Sequence, residues 1–370
     1  MTEYSQYQYD AWIATAGMQP EKLANLIESY GSPESCYVSV RRKNPEIMHF
    51  LSSRIFRVLA ENGSEENMAK IRMTLENHAI KAVRIWESAY PGKLKNLPDA
   101  PPIMFYQGEL ECLSGKVLAM VGSRAASYAG QKAAKKLSSE LSRHQVSVIS
   151  GLACGIDAAA HQGCIDGGSA TIAVTGCGLD RNYPAENRLL KERILENHGL
   201  ILSEYAPGEK PVGWHFPVRN RIIVGLSQAL VLIEARIKSG SMTSVQHALD
   251  QGKDVFVYPG EPDSPQFEGN HQLLREGGIY FTSAEDILED LHWLDIPSSV
   301  RQNSDCSGEK ESPVPEGEAI MNALKKGRLS FEQLLEKTGM ESSVLLSTLT
   351  ILQISGLIEP LPGKQYQIKH

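Results

Sequence analysis

The chain has 370 residues, 42% of them hydrophobic and 22% charged, and its 44 acidic against 37 basic side chains give a formal net charge of -7. That length fits roughly two to three domains with full hydrophobic cores and excludes wholesale disorder. The acidic balance excludes a protein whose whole surface attracts nucleic acid, but leaves room for a local basic groove. Six dispersed cysteines with no CxxC pair suggest neither a disulfide scaffold nor a paired-cysteine zinc site and fit a reducing compartment. The N-terminal MTEYSQYQYD carries no apolar leader, and nowhere do 18 apolar residues run together, so the expectation is a soluble, cytoplasmic protein without a membrane partner.

Residues 1–85 read as a module of short helices, with Gly17-Met18-Gln19-Pro20 as a turn between two of them. The Pro- and Gly-dense stretch 90–110 reads as an irregular lead-in. From Lys116 onward short apolar runs alternate with helical patterns, the signature of βαβ units around a parallel sheet. Strands are expected at 117–121, 146–150, 170–174, 200–204, 229–235 and 254–259, and helices at 127–144, 155–166, 186–198, 217–226 and 242–251. The Val, Ile and Leu content of the strands, without polar alternation, means burial on both faces. Gly, Ser or Pro follows each strand, which puts the informative loops at the carboxyl edge, where open α/β sheets bind ligands. The Ser-, Pro-, Glu- and Gly-rich residues 296–316 read as a flexible linker. In 317–370, three apolar-periodic helices closed by Gly precede a two-stranded tail, the pattern of a winged helix. The organisation expected is a helical module (1–85), an α/β core (86–295), the linker, and the winged helix.

The chain has no Walker A loop, no G-x-G-x-x-G after the first strand, no HExxH and no G-x-S-x-G, so phosphate hydrolysis on a P-loop, dinucleotide, metalloprotease and α/β-hydrolase readings lose their anchors. Asp157 and His161, four apart on one helix face, fit an acid/base pair, and better a helix-start acceptor with a packed histidine below it.

Four loops at the strand ends set small residues beside a cation. Gly122-Ser123-Arg124 turns the first strand into a helix whose N-terminus can bind an anion, with Arg124 supplying bidentate charge. Ser150 to Gly155 is a second Gly-bracketed turn. The third loop, GEKPVGWHFPVRNRIIVG, holds Lys210, Phe216, Arg219, Asn220 and Arg221. The fourth, Lys238-Ser239-Gly240-Ser241, opens a helix that Ser239 and Ser241 can cap. Between residues 206 and 241, five basic side chains face Glu209 and Glu234, a local +3. Several cationic loops along one sheet edge suit a chain of phosphates, with Phe216 or Trp214 offering a stacking face. The alternative for each arginine is an ion pair with Glu204 or Glu234.

GSR (122–124), SGLACGIDAAAH (150–161), TIAV..GCGLD..YPAEN (171–187), SEYAPG (203–208), FPVRNRIIVGLS (216–227), KSGSMT (238–243), ALDQGKDVFVYPG (248–260) and GNHQLLREGG (269–278) together resemble the DprA/Smf family. The resemblance implies an extended Rossmann core with a sterile-alpha-motif-like N-terminal domain and a winged-helix C-terminal domain. It further implies single-stranded DNA binding, homodimerisation, and loading of a RecA-type recombinase during natural transformation, with no catalysis and no cofactor. By matching motif, DNA contacts carry over to Ser123, Arg124, Lys210, Arg219, Arg221 and Lys238. Cys154 departs from the basic residue that many members carry in SGLA-x-GID, and Ser244-Val245 replaces the usual Thr-Ala. Two other functions remain open: a nucleotide hydrolase of the phosphoribohydrolase kind, although Pro259-Gly260-Glu261 lacks the PGG-x-GT loop, and a sensor of a small nucleotide. The winged helix is expected to bind protein, or DNA only weakly, because 341–356 contains no Lys or Arg.

Overall fold

The computed structural model describes residues 3–294, 315–325, 327–354, 357–361 and 365–368. They fall into two compact units divided between Leu294 and Asp295. Most of the expected linker, 296–314, lies outside the described residues, and its last two positions lie in a helix that starts at Pro315.

The first unit begins with six helices, α1 (Gln8–Ala14), α2 (Pro20–Tyr30), α3 (Pro33–Arg41), α4 (Pro45–Phe50), α5 (Ser53–Asn62) and α6 (Glu65–Asn77). Their boundaries are written locally. Proline opens α2, α3 and α4, where the missing N–H costs nothing. Side chains of Ser32, Asn44, Ser52 and Ser64 accept from first-turn N–H groups of α3 to α6. Gly31, at φ 80°, ends α2 in the left-handed region. Trp12 is fully buried at the centre and donates Nε1–H to Leu59 O at 2.9 Å. Buried Asp10 holds Arg84 through two 2.7 Å hydrogen bonds, which fastens α1 to the first strand.

That strand, β1 (Lys81–Arg84), and β2 (Ile103–Gly108) add an antiparallel extension to seven parallel strands: β3 (Lys116–Val121), β4 (Val146–Ser150), β5 (Ile172–Val174), β6 (Leu200–Ser203), β7 (Ala229–Leu232), β8 (Val255–Val257) and β9 (Ile279–Tyr280). The order across the sheet is β1-β2-β6-β5-β4-β3-β7-β8-β9. Two sequence expectations change here. The stretch 90–110 is not wholly irregular, since β2 lies within it, and β1 lies before residue 86 yet pairs with β2. The proline run ahead of β2 hid the strand.

The intervening helices are α7 (Gly92–Lys95), α8 (Tyr128–Arg143), α9 (Ile156–Gly167), α10 (Arg188–Glu196), α11 (His215–Leu226), α12 (Gly240–Asp250), α13 (Glu268–Arg275) and α14 (Ala284–Asp290). One face of the sheet packs on α11 and α12, and the other on α8, α9 and α14. The six N-terminal helices share a core with β5, β6, α10 and the loop residues Leu152, Leu179 and Ala206. Successive strands run from β3 toward β6 on one side and, after a crossover, from β7 toward β9 on the other. β3 and β7 therefore flank the topological switch point, and a crevice opens beyond their carboxyl ends.

The second unit contains α15 (Pro315–Leu324), β10 (Leu329–Ser330), α16 (Phe331–Thr338), α17 (Ser342–Ile354), β11 (Ile358–Leu361) and β12 (Gln365–Ile368), with an antiparallel sheet in the order β10-β12-β11. This is a winged helix. A Ser330/Gln333 capping box starts α16 and Gly339 ends it. Ile320, Leu334, Leu345 and Leu352 fill its core.

Candidate functional site

A cavity of about 480 Å³ lies at the switch point. Gly122, Ser123 and Arg124 line it from the end of β3, Ala153 and Asp157 from the β4–α9 turn, Phe216, Arg219 and Asn220 from α11, and Ser239, Gly240, Ser241 and Ser244 from the β7–α12 turn. All four loops singled out in the sequence thus contribute to one place.

The two walls are built differently. On the β3–β4 wall carboxylates of the chain already fill the turns that lead into the helices. Glu234, fully buried, accepts from Ser127 N at 3.1 Å and from Ser127 Oγ at 2.5 Å, at the start of α8. Gly130 makes room for it, since a Cβ there would stand 2.3 Å from Glu234 Oε2. The Asp157 carboxylate accepts from Gly151 N at 3.1 Å and Ala153 N at 3.3 Å, in the turn that opens α9. The expectation that the helix after Gly122-Ser123-Arg124 offers its N-terminus to an external anion is therefore corrected: the Ser127 hydroxyl caps it, accepting from Gly130 N at 3.0 Å, and the Glu234 carboxylate holds Ser127.

On the β7 wall, α12 begins without a side-chain cap. Ser239 and Ser241 do not cap the helix; their hydroxyls bond each other at 3.0 Å. Ser239, Gly240 and Ser241, at this uncapped helix start, line the cavity. Lys238 stands exposed beside them, and Arg124 is exposed across the opening. Neither makes an ion pair among the described residues.

Helix phase decides the fate of the two arginines of FPVRNR. Residues two apart lie on opposite sides of a helix. Arg219 faces the crevice floor, where it is 3% exposed and donates Nη1–H to Gly151 O and Val174 O, the ends of β4 and β5. Burial pushes its pKa down to about 10, against the opposing charge of Asp157, so it stays protonated near neutrality. Arg221 points the other way. Its guanidinium is bidentate to Glu204 at 2.8 and 3.0 Å and donates to Asp99 at 2.6 Å. Its predicted place among the contacts is not in the cavity, and the ion-pair alternative describes it. Asn220 bridges, accepting from Arg219 Nε at 3.2 Å and donating to Gly240 O at 3.5 Å. Lys210 is exposed in the loop after β6 and does not line the cavity.

Phe216 is not a bare stacking face. The Arg124 guanidinium lies 4.8 Å over its ring, and Tyr183 stacks against it at 5.3 Å and 25°. Beside it in the chain and stacked on it, Trp214, 63% exposed, and Tyr183, 42% exposed, are open to solvent. Tyr183 was not singled out from the sequence, where it reads only as part of YPAEN; an aromatic before proline in a strand-end loop was the available signal.

Asp157 and His161 do not act on one another. His161 is fully buried, and since the Thr171 hydroxyl donates to Val148 O, ring Nδ1 is the donor to Thr171 Oγ1 at 2.8 Å. Burial, with the charge of Arg219, pushes its pKa down to about 3. Burial raises Asp157, with Arg219 pulling in the opposite direction. Among the described residues no group of three His, Cys, Asp or Glu side chains is arranged to hold a metal.

Fold and site define a Rossmann-like protein with a crevice lined by strand-end turns, serines and arginines at its switch point, coupled in sequence to a winged helix. Residues 81–292 match the family model described as DNA recombination-mediator protein A, and residues 308–364 match the DprA winged helix domain. The chain belongs to this DprA/Smf family. DNA processing protein DprA of Streptococcus pneumoniae is 43% identical over 221 residues, covering 60% of this chain and 78% of that one. Protein Smf of Escherichia coli is 34% identical over 285 residues, covering 76% and 75%. Among solved structures, that of the Streptococcus pneumoniae DprA superposes with a TM-score of 0.63 at 32% identity, covering 78% of this chain and 98% of the other. That of Helicobacter pylori DNA processing protein A, described for its single-stranded DNA binding mode, gives 0.52 at 27% identity, covering 58% and 95%.

Proposed function

We propose that this protein binds single-stranded DNA in the switch-point crevice, through its phosphates and without reading sequence. The observation that carries the reading is the β7 wall: the uncapped start of α12, with Ser239, Gly240 and Ser241, faces Arg124 across the opening and has Lys238 at its rim. N–H groups, hydroxyls and unpaired cations suit phosphate oxygens. The exposed rings of Trp214 and Tyr183 suit bases of any identity. Ser123 contributes a hydroxyl, Arg219 and Asn220 hold the floor, and Lys210 meets the strand outside the cavity. The Helicobacter pylori relative, described as binding single-stranded DNA, supports the same class of ligand.

In this reading the protein is a mediator rather than a catalyst. It works in the cytoplasm as a homodimer and passes the bound strand to a RecA-type recombinase during uptake of transforming DNA. Site size tests the first step. A footprint of several nucleotides per subunit, with nucleoside monophosphates competing poorly, is expected. One mononucleotide per subunit, or release of free base from it, would favour the small-nucleotide sensor or the hydrolase instead. Co-precipitation of the recombinase with the protein on an oligonucleotide tests the second step.

A further inference from the structure

The crevice is not the most cationic surface of the first unit. Residues 41–57 carry Arg41, Arg42, Lys43, Arg54 and Arg57 against Glu46 alone, a net +4 in a chain of -7. All five basic side chains are exposed, and none makes an ion pair or side-chain hydrogen bond among the described residues. Their placement is compact. Arg41 ends α3, Arg42 and Lys43 follow it directly, and α3 packs on both α4 and α5. Arg54 and Arg57 are three apart near the start of α5 and so share one face. Between the two groups, at the end of α4, Phe50 stands 47% exposed. A fold that leaves five arginine and lysine heads exposed, with an exposed aromatic ring between the two groups in the chain, has not spent them on its own stability, since exposed charges gain little from the protein itself.

We infer that this α3–α4–α5 corner is a second contact surface for single-stranded nucleic acid, taking up strand that emerges from the crevice. The inference rests on the proposed crevice reading for the identity of the ligand. Two observations favour a polynucleotide as occupant. The corner combines phosphate-seeking cations with a stacking ring, the same pair of chemistries as the crevice. The N-terminal helices also share one hydrophobic core with Leu152, Leu179 and Ala206, which belong to loops at the carboxyl edge of the sheet. Helical module and crevice edge are thus parts of one packed unit, and a strand held at one is kept at high local concentration for the other.

The test uses the full-length chain with Arg42, Lys43, Arg54 and Arg57 all replaced by Ala, titrated with two deoxythymidine oligonucleotides, one of about six nucleotides sized to the crevice and one of about forty. Arg41 is left in place because it lies in the last turn of α3, where a cation favours the helix. The expected result is unchanged binding of the short strand, and for the long strand an affinity loss of about ten-fold or more with a salt slope shallower by about 2.8. A second variant, Phe50→Ser, should weaken only the long strand and leave the salt slope as it was. Unchanged long-strand binding in both variants would overturn the inference while leaving the crevice reading intact. Equal losses on both strands would overturn it as well, since the corner would then not be separate from the crevice. If wild-type protein ignores the short strand while the long strand still depends on the corner, the crevice reading fails and the corner stands.

Discussion

The two walls of the crevice start from the same local sequence grammar, a strand, a Gly- or Ser-rich turn and a helix, and end in opposite states. At α8 and α9 the chain supplies its own anions, Glu234 and Asp157, to the turn. At α12 it supplies none. A glycine-rich turn ahead of a helix is therefore not by itself an anion site; what matters is whether a carboxylate from elsewhere in the fold already satisfies its N–H groups. Perturbing the β3–β4 wall should register as stability, and perturbing the β7 wall and the rim cations as affinity.

The largest effect should come from the rim. Replacing Arg124 and Lys238 together with Ala removes two charge-assisted contacts, and should weaken binding of a single-stranded oligonucleotide about 100-fold. The slope of log affinity against log salt should become shallower by about 1.4. The melting temperature should barely move, because both side chains are exposed.

The filled wall gives a pH signature. His161 has a folded pKa of about 3 against 6.5 in the unfolded chain. Above pH 6.5 both states hold it neutral and its contribution is fully present. Below that the unfolded state alone takes up the proton, so stability falls as the pH drops from 6.5 toward 3, by about 1.4 kcal/mol per unit, or about 2 kcal/mol by pH 5. Denaturation at pH 7.5 and pH 5 should show this loss in the wild type and a smaller one in His161→Asn. An equal loss in both would assign the pH dependence to other groups.

Ser239→Asp converts the open helix start into a filled one. A carboxylate at the first position before α12 should hold or raise stability by up to about 1 kcal/mol, while lowering oligonucleotide affinity about 10-fold by taking the place of a phosphate. Tighter or unchanged binding would erase the distinction between the walls. The smallest effect should come from removing residues 295–370. Helix α17 presents Leu346, 56% exposed, and Ile351, 40% exposed, with no Lys or Arg along its length, so single-strand affinity should stay within about three-fold.

Much of this was legible in the chain. The alternation of apolar runs and helical patterns located six of the seven parallel strands, and burial on both faces follows from their Val and Ile content. The missing parallel strand, β9, has only two residues, too short to carry a pattern. The antiparallel β1–β2 pair was hidden for a different reason: one strand has four residues and the other follows a proline run.

At the site, residue types were readable but their directions were not. FPVRNR announces two arginines, and only the phase of α11 separates the one in the crevice floor from the one held by Asp99 and Glu204. Glu234 meets Ser127 across 107 positions of sequence, a contact that no local pattern encodes, and with it went the anion site expected after Gly122-Ser123-Arg124.

Photo-crosslinking of a bromodeoxyuridine-substituted single strand to the full-length protein, with the adducts mapped by mass spectrometry, tests the central claim most directly. Binding in the crevice predicts adducts on the exposed rings at its mouth, Trp214 and Tyr183, that disappear when Arg124 and Lys238 are both replaced by Ala. Adducts confined to residues 315–368, or adducts at Trp214 and Tyr183 that persist in the double variant, would contradict it.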